Sequence, residues 1–422
     1  MNGFHKKYLL VAAFLISQGL VSIIGGLAFA SVPGENVIFP GIFISGMEVG
    51  GLTAEQCTAL LEKNLDKLQI QNIVLQHNDK KWLYSLKELG ITFDIPGSVD
   101  NALREGKRGS TALKGLELLK IKVSEPKLPL EFNLDEAKFK NAISDIAKEI
   151  NVQPANAFVV YEHGKVRLVP ESKGKELDIA ACIEQVKQAL RKQGDEPVDL
   201  KVSEVKAQIK ASHLKGINGV IGTGITFFSS SDKERADNIY LAVKIINGTV
   251  ILPGQEFSFN KALGPRVSEQ GYRSAPVLVN GRLVEGTGGG VCQVATTLYE
   301  AALYSGLKIM ERHPHTSLPA YIDPGSDAAV AYGEMDLRFF NNTGGPIYIS
   351  AVIANNCVSV KLFGAVKPGK SVQVISENNT DNRNRRAGRS YIRVYRIFYE
   401  NGMEDRRELV SEDYYLKETI VK

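Results

Sequence analysis

A long run of residues without a charged side chain lies near the beginning of the chain and limits what that segment can become. Residues 8–30 (YLLVAAFLISQGLVSIIGGLAFA) follow the His-Lys-Lys sequence at 5–7. An apolar run of about 20 residues is long enough to cross the hydrocarbon layer as a helix. The charges before it predict, by the positive-inside rule, that residues 1–7 form a cytoplasmic tail and that the rest lies outside. We therefore expect a single-pass anchor in the cell membrane, so that the cytoplasmic membrane is a partner of this helix. The small-x-small pattern at 28–30 leaves cleavage as an alternative.

Length and composition favour an exported body of several folded domains. A chain of 422 residues is too long for one ordinary core. Its 44% hydrophobic and 23% charged residues are typical of a folded globular protein. The net charge of +4 is small for this length and forms no basic stripe with interleaved aromatic residues. Nucleic acid is accordingly not expected as a partner.

An internal repeat predicts two small α+β domains at residues 41–126 and 127–209. The sequence GITFDI at 90–95 and the sequence GKELDI at 174–179 each precede a helical pattern and each follow a predicted hairpin. In the first domain, Thr53 and Gln56 have the spacing of a capping box at the start of a helix. The second part of the chain, at 217–350, is rich in glycine and polar motifs, and residues 351–422 are predicted as a β-rich extension. The expected fold class is α+β, with an N-terminal transmembrane helix.

Four cysteines are scattered without the spacing of a redox or metal motif. Cys57, Cys182 and Cys357 are interpreted as free, buried apolar side chains, although an even number in an exported chain also permits two disulfides. Cys292 differs because it follows three glycines in GTGGGVCQ and begins a helical pattern that ends near Ser305. The N–H groups and dipole at a helix N-terminus stabilise a thiolate and an oxyanion.

A cysteine nucleophile needs a base, and two histidines follow the predicted helix. His313 and His315 are each candidates for the general acid–base, and Asp327 or Asp336 is a candidate to orient it. Three other interpretations of the motif stay open at this point: a buried structural cysteine, an anion cradle formed by the glycines, and a zinc site made by Cys292 with the two histidines. We expect neither a metal nor a cofactor.

The chain resembles two known families, each through specific motifs. GMEVGGLTAEQ at 46–56 resembles a peptidoglycan-binding domain that is often found in tandem behind a membrane anchor, and the second repeat matches it more loosely. From about 222 to 342 the chain resembles the VanW family. The motifs that carry this second resemblance are SSS at 229–231, INGTV at 246–250, PGQEFSFN at 253–260, GPR at 264–266, GGGVCQ at 288–293, TTLY at 296–299 and RHPH at 312–315.

The VanW resemblance implies a cysteine acyltransferase of the cell wall. Some members of the family are similar to L,D-transpeptidases, in which a cysteine attacks a stem peptide at diaminopimelate, releases the terminal D-residue and passes the acyl group to another stem. This implies Cys292 as the nucleophile, His313 or His315 as the base, and peptidoglycan as the partner. The alternative is a non-catalytic wall-binding or scaffold protein, accessory to glycopeptide resistance. The residues assigned to substrate binding are Gly288, Gly289, Gly290, Gln293, Arg235, Arg266 and Arg312.

Overall fold

The computed structural model describes Gln18 and residues 34–65, 72–105, 107, 120–121, 124–192, 196–279, 282–378 and 389–416. The chain divides into two compact units. Unit 1 comprises Met1–Gln153 and Gly174–Val205, and unit 2 comprises Pro154–Lys173 and Lys206–Lys422. Both units combine helices with mainly antiparallel strands, so the predicted α+β class is confirmed.

The transmembrane helix that was part of the predicted fold class is not supported. Within the described ranges, no helix is long and apolar enough to cross a membrane. The longest helices there have 14 residues, about 21 Å at the α-helical rise, whereas the hydrocarbon core is about 30 Å thick. The predicted segment, residues 8–30, lies outside the described residues apart from Gln18. The fold class is therefore corrected to α+β without this helix, and membrane contact through it loses its support.

Unit 1 is built from short strands and five helices among the residues described. With strands and helices numbered in chain order over the whole chain, its elements are β1 Phe43–Ile44, β2 Met47–Glu48, α1 Ala54–Asn64, β3 Asn72–His77, β4 Lys80–Ser85, β5 Ile91–Phe93, α2 Ile95–Arg104, β6 Lys127–Leu128, β7 Phe132–Leu134, α3 Glu136–Ala142, α4 Ser144–Ile150, β10 Gly174–Leu177, α5 Ile179–Lys192, β11 Val198–Asp199 and β12 Val202–Val205. The capping box of Thr53 and Gln56 at the start of α1 is confirmed.

The repeated pattern of a strand followed by a helix is present at both predicted places in unit 1. Strand β5 leads into α2, and strand β10 leads into α5. Strand β11 pairs in parallel with β3, across a long stretch of sequence. One hydrophobic core contains Leu75 of β3, Phe139 of α3 and Cys182 of α5. The two repeats therefore share a core in unit 1.

Unit 2 contains the candidate site. Its elements are β8 Phe158–Glu162, β9 Lys165–Val169, β13 Gly219–Phe227, α6 Lys233–Ile246, β14 Val250–Ile251, β15 Glu256–Ser258, α7 Phe259–Leu263, β16 Ser274–Val279, β17 Arg282–Thr287, α8 Val291–Tyr304, β18 Lys308–Glu311, β19 Arg338–Phe340, β20 Ile347–Ala354, β21 Cys357–Gly364, β22 Lys370–Asn378, β23 Arg389–Glu400 and β24 Met403–Leu416. Strands β8 and β9 form the hairpin that the sequence predicts before GKELDI. Strands β20 to β24 lie mostly in the segment that was predicted as β-rich.

Helix α8 is the centre of unit 2 and lies against an antiparallel sheet with the strand order β13-β21-β20-β14. Nearly all of its side chains are buried. Gly222 and Gly224 of β13 allow the helix backbone to approach closely, since a Cβ atom at Gly224 would lie 2.0 Å from the Thr297 carbonyl oxygen. Thr226 of β13 and Thr297 of α8 share a buried hydrogen bond of 2.7 Å. The helix that carries Cys292 is thus fixed along its length.

A second antiparallel sheet, with the order β22-β23-β24, contacts the carboxyl end of α8. Arg396 of β23 is 2% exposed and donates through Nη1 to the Leu307 carbonyl oxygen across 2.5 Å. A Cβ atom at Gly306 would lie 3.0 Å from the Phe398 ring, so strand and helix end are in direct contact. The polar segment predicted as a loop at 378–389 lies mostly outside the described residues.

Candidate active site

The glycine run forms the turn that starts helix α8. Gly290 is the N-cap residue and has a left-handed backbone with φ of 101°. A side chain at this position would meet Ile239 at 2.9 Å and Arg235 at 3.0 Å. Asn238, which is fully buried, donates through Nδ2 to the Gly289 carbonyl oxygen across 3.0 Å. Glycine is therefore required here both by the backbone angle and by the packing of α6 against the turn.

Cys292 is the second residue of α8, as the sequence predicted. Its Sγ lies 3.5 Å from the carbonyl oxygen of Val330. The residue is partly exposed, and it forms no disulfide. The other three cysteines are also free; Cys57 and Cys182 are buried as predicted, whereas Cys357 is partly exposed. Only Cys292 combines a helix N-terminus with a basic neighbour.

That basic neighbour is His315. Its side chain interacts electrostatically with the Cys292 thiol, and its Nδ1 lies 2.7 Å from Oδ2 of Asp327. The same carboxylate oxygen accepts the His315 backbone N–H across 2.7 Å. Because Nδ1 is held by the carboxylate, Nε2 is the ring nitrogen left for the thiol. Cys292, His315 and Asp327 thus form a continuous chain of nucleophile, base and orienting acid.

The electrostatics of this chain favour an ion pair. Burial raises the pKa of the Cys292 thiol, but the hydrogen bond and charge of His315 outweigh burial, and the net pKa is below its ordinary value. Burial lowers the pKa of His315, but its hydrogen bonds to Asp327 and Cys292 raise the net pKa to about 9. Both shifts favour the thiolate–imidazolium form of the pair, in which a cysteine is nucleophilic.

Asp327 is fully buried, and both oxygens of its carboxylate accept hydrogen bonds. Besides His315, Oδ1 accepts from Arg312 Nη2 across 2.8 Å and from the Tyr415 hydroxyl across 2.5 Å. Arg312 also donates through Nη1 to Asp413 across 2.6 Å. Burial raises the pKa of Asp327, but His315 and Arg312 lower it below its ordinary value. The last strand of the C-terminal sheet, β24, thus reaches the site through Tyr415 and Asp413.

Two of the predicted catalytic residues lie apart from this chain. His313 Nε2 contacts Glu311 Oε1 at 3.1 Å, and its side chain is 40% exposed. Asp336 accepts from Ser258 Oγ and from the backbone N–H groups of Asn260 and Leu337, and so holds a turn together. Among the residues that the structure describes, no group of three or more metal-ligand side chains is assembled. The zinc alternative with both histidines is therefore not formed.

Three residues assigned to substrate binding are engaged inside the protein. Gln293 is 1% exposed; its Nε2 donates to the Phe227 carbonyl oxygen across 2.8 Å, and its Oε1 accepts from Arg235 Nη2 across 2.7 Å. This pair joins α6 to α8. Arg312 is bound to two carboxylates. Arg266 lies differently, since its charge interacts with Cys292.

Sequence reasoning missed three residues of the site. Asp413 and Tyr415 lie in a strand with an ordinary alternating pattern, and nothing local to that strand indicates a role. The third is Tyr321, whose hydroxyl hydrogen-bonds the Thr296 side chain; burial and then the negative charge of Cys292 raise its pKa. A tyrosine after a proline-containing loop is too common a pattern to predict this position.

The chain is similar to known proteins over two regions. The family model described as "VanW like protein" matches residues 234–363, and the model described as "Putative peptidoglycan binding domain" matches residues 82–199. The protein YoaR of Bacillus subtilis, described as uncharacterized, is 34% identical over 233 residues, which are 55% of this chain and 76% of that protein. The vancomycin B-type resistance protein VanW of Enterococcus faecalis is 28% identical over 142 residues, 32% of this chain and 51% of that protein. No solved structure gives a significant match.

Proposed function

Since the chain belongs to the VanW-like family, we propose that it is a cysteine-dependent peptidoglycan transacylase of the L,D-transpeptidase kind. The family matches alone support a cell-wall-related protein with a peptidoglycan-binding domain, and peptidoglycan is its partner. The proposal adds the reaction, the residues that carry it out, and a place outside the cytoplasm, where peptidoglycan lies.

The hydrogen-bonded chain of Cys292, His315 and Asp327 is the observation that carries the proposal. A structural cysteine does not need a histidine whose second nitrogen is held by a buried carboxylate. This arrangement has the roles of a cysteine nucleophile, its acid–base and its orienting group. All three side chains are fixed by elements of unit 2.

In the proposed reaction, the Cys292 thiolate attacks the carbonyl carbon of a stem-peptide amide and forms a C–S bond. The electron pair of the carbonyl moves onto oxygen, where the positive end of the α8 dipole stabilises the negative charge. When the intermediate collapses, the C–N bond breaks and the His315 imidazolium gives its proton to the departing amine. The product is a thioester on Cys292 and a free D-amino acid.

A second amine completes the transfer. It attacks the thioester carbonyl, the C–S bond breaks, and neutral His315 takes the proton that the amine loses. The thiolate and imidazolium are restored, so the cycle balances without an oxidant or a metal. The domain matched at 82–199 would bind the wall polymer.

A competing proposal is that the chain binds the wall without reacting with it, as a scaffold in glycopeptide resistance. The peptidoglycan-binding match and the name of the Enterococcus relative favour it. It predicts no covalent intermediate at Cys292, which makes the two proposals separable.

The test is intact-protein mass spectrometry after incubation with a disaccharide-tetrapeptide. We expect an adduct equal to the donor minus its terminal residue, lost in Cys292→Ala and in His315→Gln. His313→Gln is the matched control and should keep the adduct, because His313 contacts Glu311 instead of the thiol. No adduct in the wild-type protein, together with alkylation of Cys292 no faster than a cysteine in a short peptide, would favour the scaffold. In cells, unchanged 3–3 cross-links in Cys292→Ala would do the same.

A further inference from the structure

The guanidinium group of Arg266 is a buried cation whose terminal nitrogens have no hydrogen-bond partner. Within the part of the chain that the structure describes, neither Nη1 nor Nη2 of Arg266 has one, and both atoms are shielded from solvent. Leaving a buried polar group without a hydrogen bond is unfavourable, and a charged group most of all. Such a group in a folded protein needs an explanation, and a missing ligand is one.

The position of this cation relates it to the reacting thiol. The stem of Arg266 packs under the glycine run, since a Cβ atom at Gly288 would lie 3.0 Å from Arg266 Cβ. Its charge interacts with Cys292. The guanidinium lies 5.8 Å from the centroid of the buried Phe259 ring and 5.9 Å from that of Tyr332, which is 54% exposed. The cation therefore lies between the glycine turn and an exposed surface ring.

The chemistry of the two free nitrogens selects the ligand. A guanidinium presents two parallel N–H donors, which match the two oxygens of a carboxylate. A metal ion would be repelled by the same charge, and a neutral amide offers one acceptor only. The other arginines near the thiol are engaged: Arg235 with Gln293 and Arg312 with Asp327.

We propose that Arg266 binds a free carboxylate of the acyl donor next to the carbonyl that Cys292 attacks, with Tyr332 moving aside on entry. This inference rests on the proposed function for the identity of the donor, but the anion site itself does not. The carboxylate has two possible sources in a stem peptide: the C-terminus of the departing residue, and the side chain of diaminopimelate. Both place a negative charge within a few bonds of the scissile amide.

Two alkylating agents test the anion site without any substrate. Iodoacetate carries a carboxylate and iodoacetamide does not, and both react with the same thiolate, so the ratio of their rates cancels any change in the pKa of Cys292. In the wild-type protein we expect a ratio at least tenfold above that of a small thiol. In Arg266→Gln the ratio of the two rates should fall to the value of a small thiol. Arg266→Lys keeps the positive charge but lacks the two parallel N–H donors, so its ratio should lie between those of Arg266→Gln and the wild-type protein.

Arg338→Gln is the matched control, because Arg338 is already paired with the carboxylates of Glu256 and Glu311; its ratio should stay at the wild-type value. A measurement on the wild-type protein alone guards against a variant that does not fold. Acetate should slow the reaction of Cys292 with iodoacetamide more than chloride does at equal ionic strength. An unaltered ratio in Arg266→Gln, or no protection by acetate, overturns the anion site.

Two donor peptides then separate the sources of the carboxylate. If Arg266 binds the terminus, a tetrapeptide with a C-terminal amide loses thioester formation at Cys292 while one with amidated diaminopimelate keeps it; the reverse holds for the side chain. Equal rates with both peptides and the unmodified donor would overturn carboxylate recognition. If no peptide forms a thioester but the alkylation ratio depends on Arg266, the proposed function fails and the anion site stands.

Discussion

Tyr415 donates its hydroxyl hydrogen to Oδ1 of Asp327 across 2.5 Å, and the same oxygen of Tyr415 accepts the Gly325 N–H across 3.0 Å. The strand that carries Tyr415 follows the family-matched region, which ends at residue 363. The acid that orients His315 is therefore held by a part of the chain outside that match. A catalytic site reconstructed from the matched residues alone would lack this contact.

Tyr415→Phe should lower both the stability of the site and the rate of its reaction without abolishing the reaction. The change removes a donor from Asp327 and an acceptor from a buried N–H, at a cost of about 1–3 kcal/mol in the free energy of unfolding. We expect faster hydrogen exchange in α8 and a rate of thioester formation lower by about tenfold, as imprecise positioning of a catalytic group commonly gives. Tyr414→Phe on the same strand is the control, since Tyr414 is half-exposed and stacks on Tyr391. Equal effects of the two changes would contradict the positioning role.

Asp327→Asn should lower the pKa of His315 from about 9 towards its ordinary value of 6.5, because the carboxylate that stabilises the imidazolium is removed. Loss of one partner of a buried ion pair also costs about 3–5 kcal/mol. Titration of the His315 ring by NMR measures the first effect. Asp336→Asn is the comparison, because that carboxylate binds Ser258 and two backbone N–H groups. A His315 titration that moved equally in both variants would remove Asp327 from its assigned role.

The pH dependence follows from the raised pKa of His315. The imidazolium is needed to protonate the departing amine, so acylation should decline as pH rises through about 9. The sign for stability is the same: a histidine with a raised folded pKa stabilises the fold fully below 6.5, and this contribution is lost as pH rises through about 9. In Cys292→Ala one of the two partners that raise the pKa of His315 is gone, so the alkaline limb of the stability profile should move to lower pH. A stability profile unchanged by Cys292→Ala would show that the thiol is not coupled to His315.

Gly290→Ala should destabilise the start of α8 through two effects, a positive φ of 101° and overlap with Ile239 and Arg235. Gly333→Ala isolates the first effect, since Gly333 has φ of 80° and open space around it. Residues held at such angles cost about 1–3 kcal/mol, and we expect Gly290→Ala to exceed Gly333→Ala. The difference is read from hydrogen exchange of the first turn of α8 and from the alkylation rate of Cys292. Equal destabilisation by Gly290→Ala and Gly333→Ala would show that α6 shifts to accommodate the added methyl group.

The position of Cys292 at a helix start could be predicted because its signal is local. Three glycines before a helical pattern are enough to indicate it, and the turn residues at Asn78 mark the hairpin of β3 and β4 in the same way. The choice between His313 and His315 was beyond this reasoning, since two extended residues separated by one point to the same side. The choice is made by Asp327, which binds the backbone and ring of His315 together. The transmembrane helix at 8–30 was predicted from composition alone, and no helix among the described residues supports it.

The contacts between β24 and the Asp327–Arg312 pair also bear on the order in which the site is completed during synthesis. Tyr415 follows Asp327 by 88 residues, and Asp413 lies on the same strand. A ribosome produces the thiol, its histidine and the acid well before it produces the residues that clamp the acid in place. A chain that has folded only as far as β21 therefore lacks both contacts of β24. We expect Cys292 to reach its full reactivity only after β24 has packed against Asp327.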